Sequence, residues 1–265
     1  MALVSEARRL NLLVGGHLVA GDVTAGEASD SGANIIDHLY GGGWAGEVPK
    51  RCFGEYGSVD GCQRVAERFL RNNTWFAPTR TALISSCSKQ AKSTCAHFSQ
   101  YMNAFWAGTL RHDNWLRDSV TPGMVQSESP DTLGDMYFVH RTGLPILAGT
   151  DAREELLKTG PPGFSLHLEL AIYAAEGLTP LEALRTATLN PAKLLKGTDS
   201  LGTVAPGKLA DLVLLDANPL ADITNTTTIR AVVANGRYFD RAALDRVLIE
   251  TQARVKQQPD PMPRR

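Results

Sequence analysis

The sequence has no surplus of basic side chains. Its 265 residues include 27 lysines and arginines against 28 aspartates and glutamates, which gives a formal net charge of −1. Nucleic-acid binding needs clustered positive charge, so no nucleic-acid partner is expected. The sequence also has no apolar run close to the roughly 20 residues that span a bilayer, and no signal peptide at its first residues. We therefore expect no membrane partner, and a cytoplasmic location by default.

Several catalytic and metal-binding motifs are also missing. The four cysteines form no C-x-x-C pair, which argues against a zinc ribbon or a redox dithiol. No G-x-S-x-G elbow, G-x-x-x-x-G-K-[ST] loop or H-E-x-x-H helix occurs, so a serine hydrolase or nucleotide-binding enzyme is not expected. A hydrophobic content of 43% is nevertheless enough for an ordinary globular core. An enzyme acting on a small-molecule substrate is the default expectation.

The first two thirds of the chain alternate between short apolar runs and helical patterns. Such runs are typical of strands buried on both faces of a parallel sheet, and the alternation predicts an α/β fold. The four runs are residues 12–16 (LLVGG), 34–37 (NIID), 74–77 (TWFA) and 145–148 (PILA). Capping boxes are expected at Thr24 with Glu27 and at Thr179 with Glu182, and Ser165 is expected to cap a helix that runs to Gly177.

From Gly202 onward the pattern changes to that of a small β module. The segments GTV, DLVLLD and IRAVVANGR indicate strands, with a turn at Asn235 and Gly236. A surface helix is predicted over residues 241–255 and a disordered tail after it. We therefore divide the chain into an α/β part (1–196), a β module (197–240) and a terminal helix with its tail (241–265).

Three ionisable residues stand directly after predicted parallel strands: His17, His38 and Asp151. Catalytic groups converge at that edge of α/β folds, and two imidazoles with a carboxylate suit zinc, manganese or iron(II). In such a site Asp151 would bind the metal and accept a proton from the attacking water. Taken singly, each residue is also compatible with a structural role. His167, in the first turn of the next helix, is a candidate substrate contact or a packing residue.

The residues around these positions resemble the metal-dependent amidohydrolase superfamily, and within it the imidazolonepropionase and Xaa-Pro dipeptidase-like branch. The resemblance rests on LPILAGTDA, PGFSLHLEL, AEGLTPLEALRTATLNPAKLL and DSLGTVAPGKLADLVLLDANPLADI, and upstream on VGGHLVAGDVTAGEASDSGANIIDHL and NTWFAPT. It implies strands five to eight of a (β/α)8 TIM barrel followed by part of a composite β-sandwich. It also implies His17, His38 and Asp151 as metal ligands, zinc as the cofactor, one or two ions in the family, and Asp151 as general base. The implied reaction is hydrolysis of a C–N bond in an amide, a cyclic amide or a dipeptide.

The sequence departs from that family in its metal ligands. The family has an H-x-H pair at the end of its first barrel strand, and many members have a carboxylated lysine on the fourth. No H-x-H pair occurs here, and no lysine precedes His17, since the first lysine is Lys50. We therefore expect a truncated C-terminal half with at most a partial metal site, and whether this chain alone is an enzyme stays open. The alternative is a non-catalytic fragment that acts as a scaffold or needs a partner chain. Self-association through exposed barrel edges is expected. The protein would be exported if a signal peptide belonged to the missing half. A deaminase or an isomerase of the same superfamily is disfavoured by the dipeptidase-like residues 145–195.

Overall fold

A parallel β-sheet forms the centre of the first part of the chain. The computed structural model describes residues 2–18, 23–38, 59–83, 139–152 and 163–257. Strands β1 (Gly15–Gly16), β2 (Ile35–Asp37) and β3 (Trp75–Ala77) lie side by side in that order, all parallel. A parallel bridge from Phe76 to Ile146 places the fourth apolar run beside β3. The predicted mixed α/β class and the order of the four runs are confirmed; their numbering as barrel strands five to eight stays a prediction.

α-Helices occur in both parts of the described chain, and two of them begin as the sequence predicts. They are α1 (Ala2–Arg9), α2 (Ala25–Ser31), α3 (Val59–Asn72), α4 (Arg80–Leu83), α5 (Phe164–Ala175), α6 (Pro180–Ala187), α7 (Leu189–Leu194) and α8 (Arg241–Gln257). Both predicted capping boxes, at the start of α2 and of α6, are present. The prediction for α5 is wrong by two residues, because Gly163 is the N-cap and Ser165 lies inside the first turn. The Ser165 hydroxyl is buried and has no hydrogen-bond partner among the described residues.

Alternation along the strands separates two apolar layers. Ile36, Phe76 and Ile146 point to one face, where they pack against the helices in the main core. Trp75, Ala77 and Leu147 point to the opposite face and form a smaller cluster. Because the pleat alternates every residue, Asp37 in β2 lies on the same face as this smaller cluster.

The C-terminal module is an antiparallel sheet. Strands β4 (Leu212–Leu215), β5 (Ile229–Ala234) and β6 (Arg237–Phe239) pair in that order, with a 3-10 helix at Ile223–Thr227. The predicted turn between β5 and β6 is confirmed, since Asn235 and Gly236 both have positive φ angles, of 49° and 72°.

The predicted GTV strand is not formed. Residues 202–204 are irregular, and the Thr203 hydroxyl instead accepts a hydrogen bond from Lys208 Nζ at 2.6 Å. The terminal helix α8 extends two residues beyond its predicted end. Most of the predicted tail, residues 258–265, lies outside the described residues. Among the described ranges, no helix is long and apolar enough to cross a membrane.

Candidate active site

The candidate site lies at the carboxyl edge of the parallel sheet. His17 follows β1, His38 follows β2, Thr79 follows β3 by two residues, and Asp151 ends the segment that runs beside β3. The register fixes their relation, because Asp37 pairs with Ala77 and the His38 N–H donates to the Ala77 carbonyl at 2.9 Å. Parallel strands thus bring four sequence-distant residues to one rim, which is where ligands bind in folds of this class.

The two predicted histidine ligands are direct neighbours. The ring centroids of His17 and His38 are 4.7 Å apart, with an interplanar angle of 69°. His17 is exposed and His38 is half-buried. The Nδ1 atom of His38 is hydrogen-bonded to the Thr79 hydroxyl. One imidazole is therefore held by the protein, while its neighbour faces solvent at the rim.

Two carboxylates share the electrostatic environment of this pair. Burial raises the pKa of Asp37, and the negative charge of Asp151 raises that pKa further. Electrostatic interactions with His38 and His17 lower the pKa of Asp37. The carboxyl of Asp37 therefore responds to the charges at this rim. Asp151 is the predicted acid of the site, and Asp37 is a second acid that interacts with it electrostatically.

Three strand ends at this rim adopt an uncommon backbone conformation. His38, Thr79 and Asp151 have positive φ angles of 67°, 49° and 48°. This left-handed region costs a non-glycine residue roughly 1–3 kcal/mol, and a β-branched residue such as threonine occupies it least readily. Such local strain clusters at functional sites, so the rim is distinguished by its backbone as well as by its side chains.

The donor set is chemically suited to a metal ion, but the described residues form only part of a site. Two imidazoles and a carboxylate are ligands that zinc favours. Within the described ranges, however, no three histidine, cysteine, aspartate or glutamate side chains are grouped closely enough to hold a metal ion. The structure brings His17 and His38 together, and Asp151 enters through its charge on Asp37. A complete zinc site would need Asp151 to approach the pair or further ligands to join it.

His167 lies against the C-terminal module. Its Nδ1 atom is 3.0 Å from the Thr226 hydroxyl in the 3-10 helix, and burial lowers its pKa. This contact joins α5 to the 3-10 helix. Its role as a substrate contact stays a prediction.

A buried polar network behind the rim was not predicted from the sequence. The Glu169 carboxylate on α5 accepts hydrogen bonds from the backbone N–H groups of Arg80 and Thr81, at 2.8 and 2.7 Å. The Arg80 Nε in turn donates to Glu176, at the end of α5, at 2.8 Å. Burial raises the pKa of Glu169, while the hydrogen bonds it accepts lower it.

Comparisons with known proteins show similarity to amidohydrolases over part of the chain. Residues 134–238 match the sequence profile of the amidohydrolase family. The chain is 31% identical over 148 residues to adenine deaminase 2 of Jannaschia sp. (strain CCS1), which aligns 51% of this chain and 22% of that protein. It is 44% identical over 82 residues to imidazolonepropionase of Pyrobaculum arsenaticum, covering 29% of this chain and 18% of that protein.

A solved structure has a similar fold. A solved Xaa-Pro dipeptidase with methionine bound in its active site superposes with a TM-score of 0.56 at 20% identity. That superposition covers 90% of this chain and 47% of the dipeptidase, so the chain spans about half the length of this structure. The predicted resemblance to the amidohydrolase superfamily is confirmed.

Proposed function

We propose that this chain carries part of the active site of a metal-dependent hydrolase that cleaves C–N bonds. The observation that carries the proposal is the His17–His38 pair, two imidazoles with ring centroids 4.7 Å apart at the carboxyl edge of a parallel sheet. The relatives support the same chemistry, because their names include an adenine deaminase and an imidazolonepropionase. Their substrates are small molecules, and a small-molecule substrate is proposed here too.

Each residue has a distinct task in this proposal. His17 and His38 bind a divalent ion, for which zinc fits the donor set best, and Asp151 is the third ligand. When bound, such an ion activates a water molecule and polarises the scissile carbonyl or amidine group. Asp151 accepts the proton that this water gives up and delivers it to the leaving nitrogen. Asp37, half-buried beside His38, keeps negative charge close to the imidazoles and favours their orientation.

Two substrate classes fit this chemistry. The dipeptidase-like residues 145–195 and the fold comparison favour an amide, a cyclic amide or a dipeptide. The adenine deaminase relatives favour an exocyclic amine on a heteroaromatic ring as the second candidate. Both classes require the same activated water, and they differ in the leaving group that Asp151 protonates.

A non-catalytic fragment, a scaffold or a chain that needs a partner is the alternative function. The observation that favours it is the lack, within the described ranges, of a third ligand grouped with the histidine pair. In that case another polypeptide or another segment would complete the site. Strand β1 is the edge of its sheet in the described structure, and the exposed Leu12 and Leu13 precede it, so this edge is where a second copy or partner would add.

Metal content per chain tests the proposal. Monodisperse protein would be analysed by elemental analysis as wild type, His17→Ala, His38→Ala and Asp151→Ala. The control is His140→Ala, which removes a histidine whose ring faces Glu182 at 3.6 Å, on a different element. Near-stoichiometric zinc or manganese in wild type and control, lost in the three variants, would support the metal site.

If the protein binds metal, the next measurement is hydrolysis of defined substrates. A proline dipeptide, a cyclic amide and an aminopurine separate the two substrate classes by the product released. Folded wild-type protein that binds no metal and hydrolyses none of the three would overturn the hydrolase proposal and favour the alternative.

A further inference from the structure

The side chain of Thr79 bridges two strands that carry candidate ligands. It is only 4% exposed and follows β3, the strand between β2 and the segment that ends at Asp151. Its hydroxyl is bonded to Nδ1 of His38 on one side. On the other side its methyl group faces Gly149, where a built Cβ would lie 3.7 Å from Thr79 Cγ2. The side chain therefore has a defined rotamer, with its polar end on the histidine.

The backbone around Thr79 is held by buried groups. The next two N–H groups, of Arg80 and Thr81, both donate to the Glu169 carboxylate, which is fully buried. The Thr81 hydroxyl donates to the Thr150 carbonyl at 3.0 Å, immediately before Asp151. These contacts fix the turn in which Thr79 has its φ of 49°, and they tie that turn to the strand end that carries Asp151.

We propose that Thr79 is a positioning residue for His38. In this arrangement the Nδ1–H of His38 donates to the Thr79 hydroxyl, and Nε2 is the atom that the ring offers to a metal ion. The hydrogen bond that one ring nitrogen makes determines which tautomer is present and which nitrogen can ligate. The proposal rests on the metal-binding role of His38 proposed above, and it adds the residue that fixes the tautomer and angle of the ring.

A purely structural role for Thr79 predicts something different. Loss of a buried hydroxyl would then lower stability without changing the His38 ring. Thr74 offers a matched control, because it is a buried threonine at the opposite end of the same strand. Its hydroxyl contacts Ser29 Oγ and the Ala33 carbonyl, both at 2.9 Å, and not a histidine. Thr74→Val therefore removes an equivalent hydroxyl from the same sheet, away from the rim.

The first measurement reads the His38 tautomer in metal-free protein. Long-range ¹H–¹⁵N spectra of ¹⁵N-histidine protein would be recorded about two pH units above the ordinary histidine pKa of ~6.5, with His38→Ala to assign the signals. Wild type, Thr79→Ser and Thr74→Val should show His38 with its proton on Nδ1. Thr79→Val and Thr79→Ala should shift the Nδ1 and Nε2 resonances toward a tautomer mixture. Thr79→Ala also avoids a β-branched side chain at positive φ, which protects the test if Thr79→Val folds poorly.

The second measurement is zinc affinity by competition with a chromophoric chelator. Loss of a residue that orients a ligand typically weakens binding by about 10–100-fold, which is expected for Thr79→Val and Thr79→Ala and not for Thr79→Ser or Thr74→Val. Unchanged His38 resonances in folded Thr79→Val or Thr79→Ala protein would overturn the positioning role, whatever the affinity. Wild-type protein that binds no zinc while Thr79→Val still shifts His38 would overturn the metal function and leave the positioning of the ring intact.

Discussion

The buried ion pair between Arg80 and Glu176 allows a quantitative test of the described packing. Arg80 begins α4 and Glu176 follows α5, and their side chains are only 3% and 0% exposed. Arg80 Nε donates to both carboxylate oxygens, at 2.8 and 3.0 Å, and a terminal guanidinium nitrogen also contacts Glu176. Glu176→Gln keeps the shape of the side chain but leaves the guanidinium buried without its counter-charge. Breaking a buried pair in this way costs about 3–5 kcal/mol of unfolding free energy.

Thermal unfolding followed by circular dichroism would measure this cost. For domains of about 150–250 residues each kcal/mol shifts Tm by roughly 2–4 °C, so Glu176→Gln should lower Tm by roughly 6–20 °C. The matched control is Asp216→Asn, which breaks the 3.4 Å pair with Arg230, whose side chains are 56% and 68% exposed. That exposed pair should be worth at most about 1 kcal/mol.

Replacing both partners of the ion pair tests whether the lost stability comes from the buried charge. Replacing both partners, as Arg80→Met with Glu176→Leu, removes two desolvated charges together and should recover most of the lost stability. If Glu176→Gln lowers Tm no more than Asp216→Asn does, the pair is not desolvated as described. If the double variant is as unstable as Glu176→Gln, the loss comes from packing rather than from an uncompensated charge.

Three further predictions concern single residues. Thr179→Ala removes the hydroxyl of the α6 capping box and should cost about 1 kcal/mol in a urea titration, whereas Thr179→Ser should cost little; equal effects would contradict the cap. Ser165→Ala removes a buried hydroxyl that has no partner in the described part of the chain, and it should raise Tm, since such a group costs about 1–3 kcal/mol; a lower Tm would mean that the hydroxyl is satisfied. Burial lowers the pKa of His167 below 6.5, so the stability it contributes is full above that pH and is lost as the pH falls through the lower folded value. His167→Gln should flatten that part of the stability–pH profile, and an unchanged slope would contradict the burial.

Local signals in the sequence explain which parts of the fold could be predicted. Both capping boxes, at Thr24 and Thr179, depend on residues three positions apart, so the amino-acid pattern alone specifies them. The GTV segment had a strand-like composition but no pairing partner in the described structure, and composition does not determine pairing. Ser165 was expected as a cap because serine favours that position, yet Gly163 has the φ of 86° from which the helix starts.

The candidate site was predictable to the extent that strand order determines it. His17 and His38 follow neighbouring parallel strands, and their rings do lie together. The network that supports the rim could not be predicted, because it joins residues about ninety positions apart, with sequence separations of 89 for Arg80 with Glu169 and 96 for Arg80 with Glu176. No local pattern encodes such a contact, since it exists only once α5 packs against the end of β3.

The backbone of the rim indicates that its side chains are retained at a cost. Elsewhere in the described chain, positive φ angles fall mostly on glycine or on asparagine, such as Gly32 at the end of α2 and Asn235 in the β5–β6 turn. Those residues occupy the left-handed region readily. At the strand ends the same conformation falls on His38, Thr79 and Asp151, where glycine would be easier for the backbone. Each of these positions instead carries an imidazole, a hydroxyl or a carboxylate, and the Glu169 hydrogen bonds to the N–H groups after Thr79 help to hold the strained turn. Strain at these three groups therefore supports the metal site proposed above, because the packing of the sheet alone would be served as well by glycine.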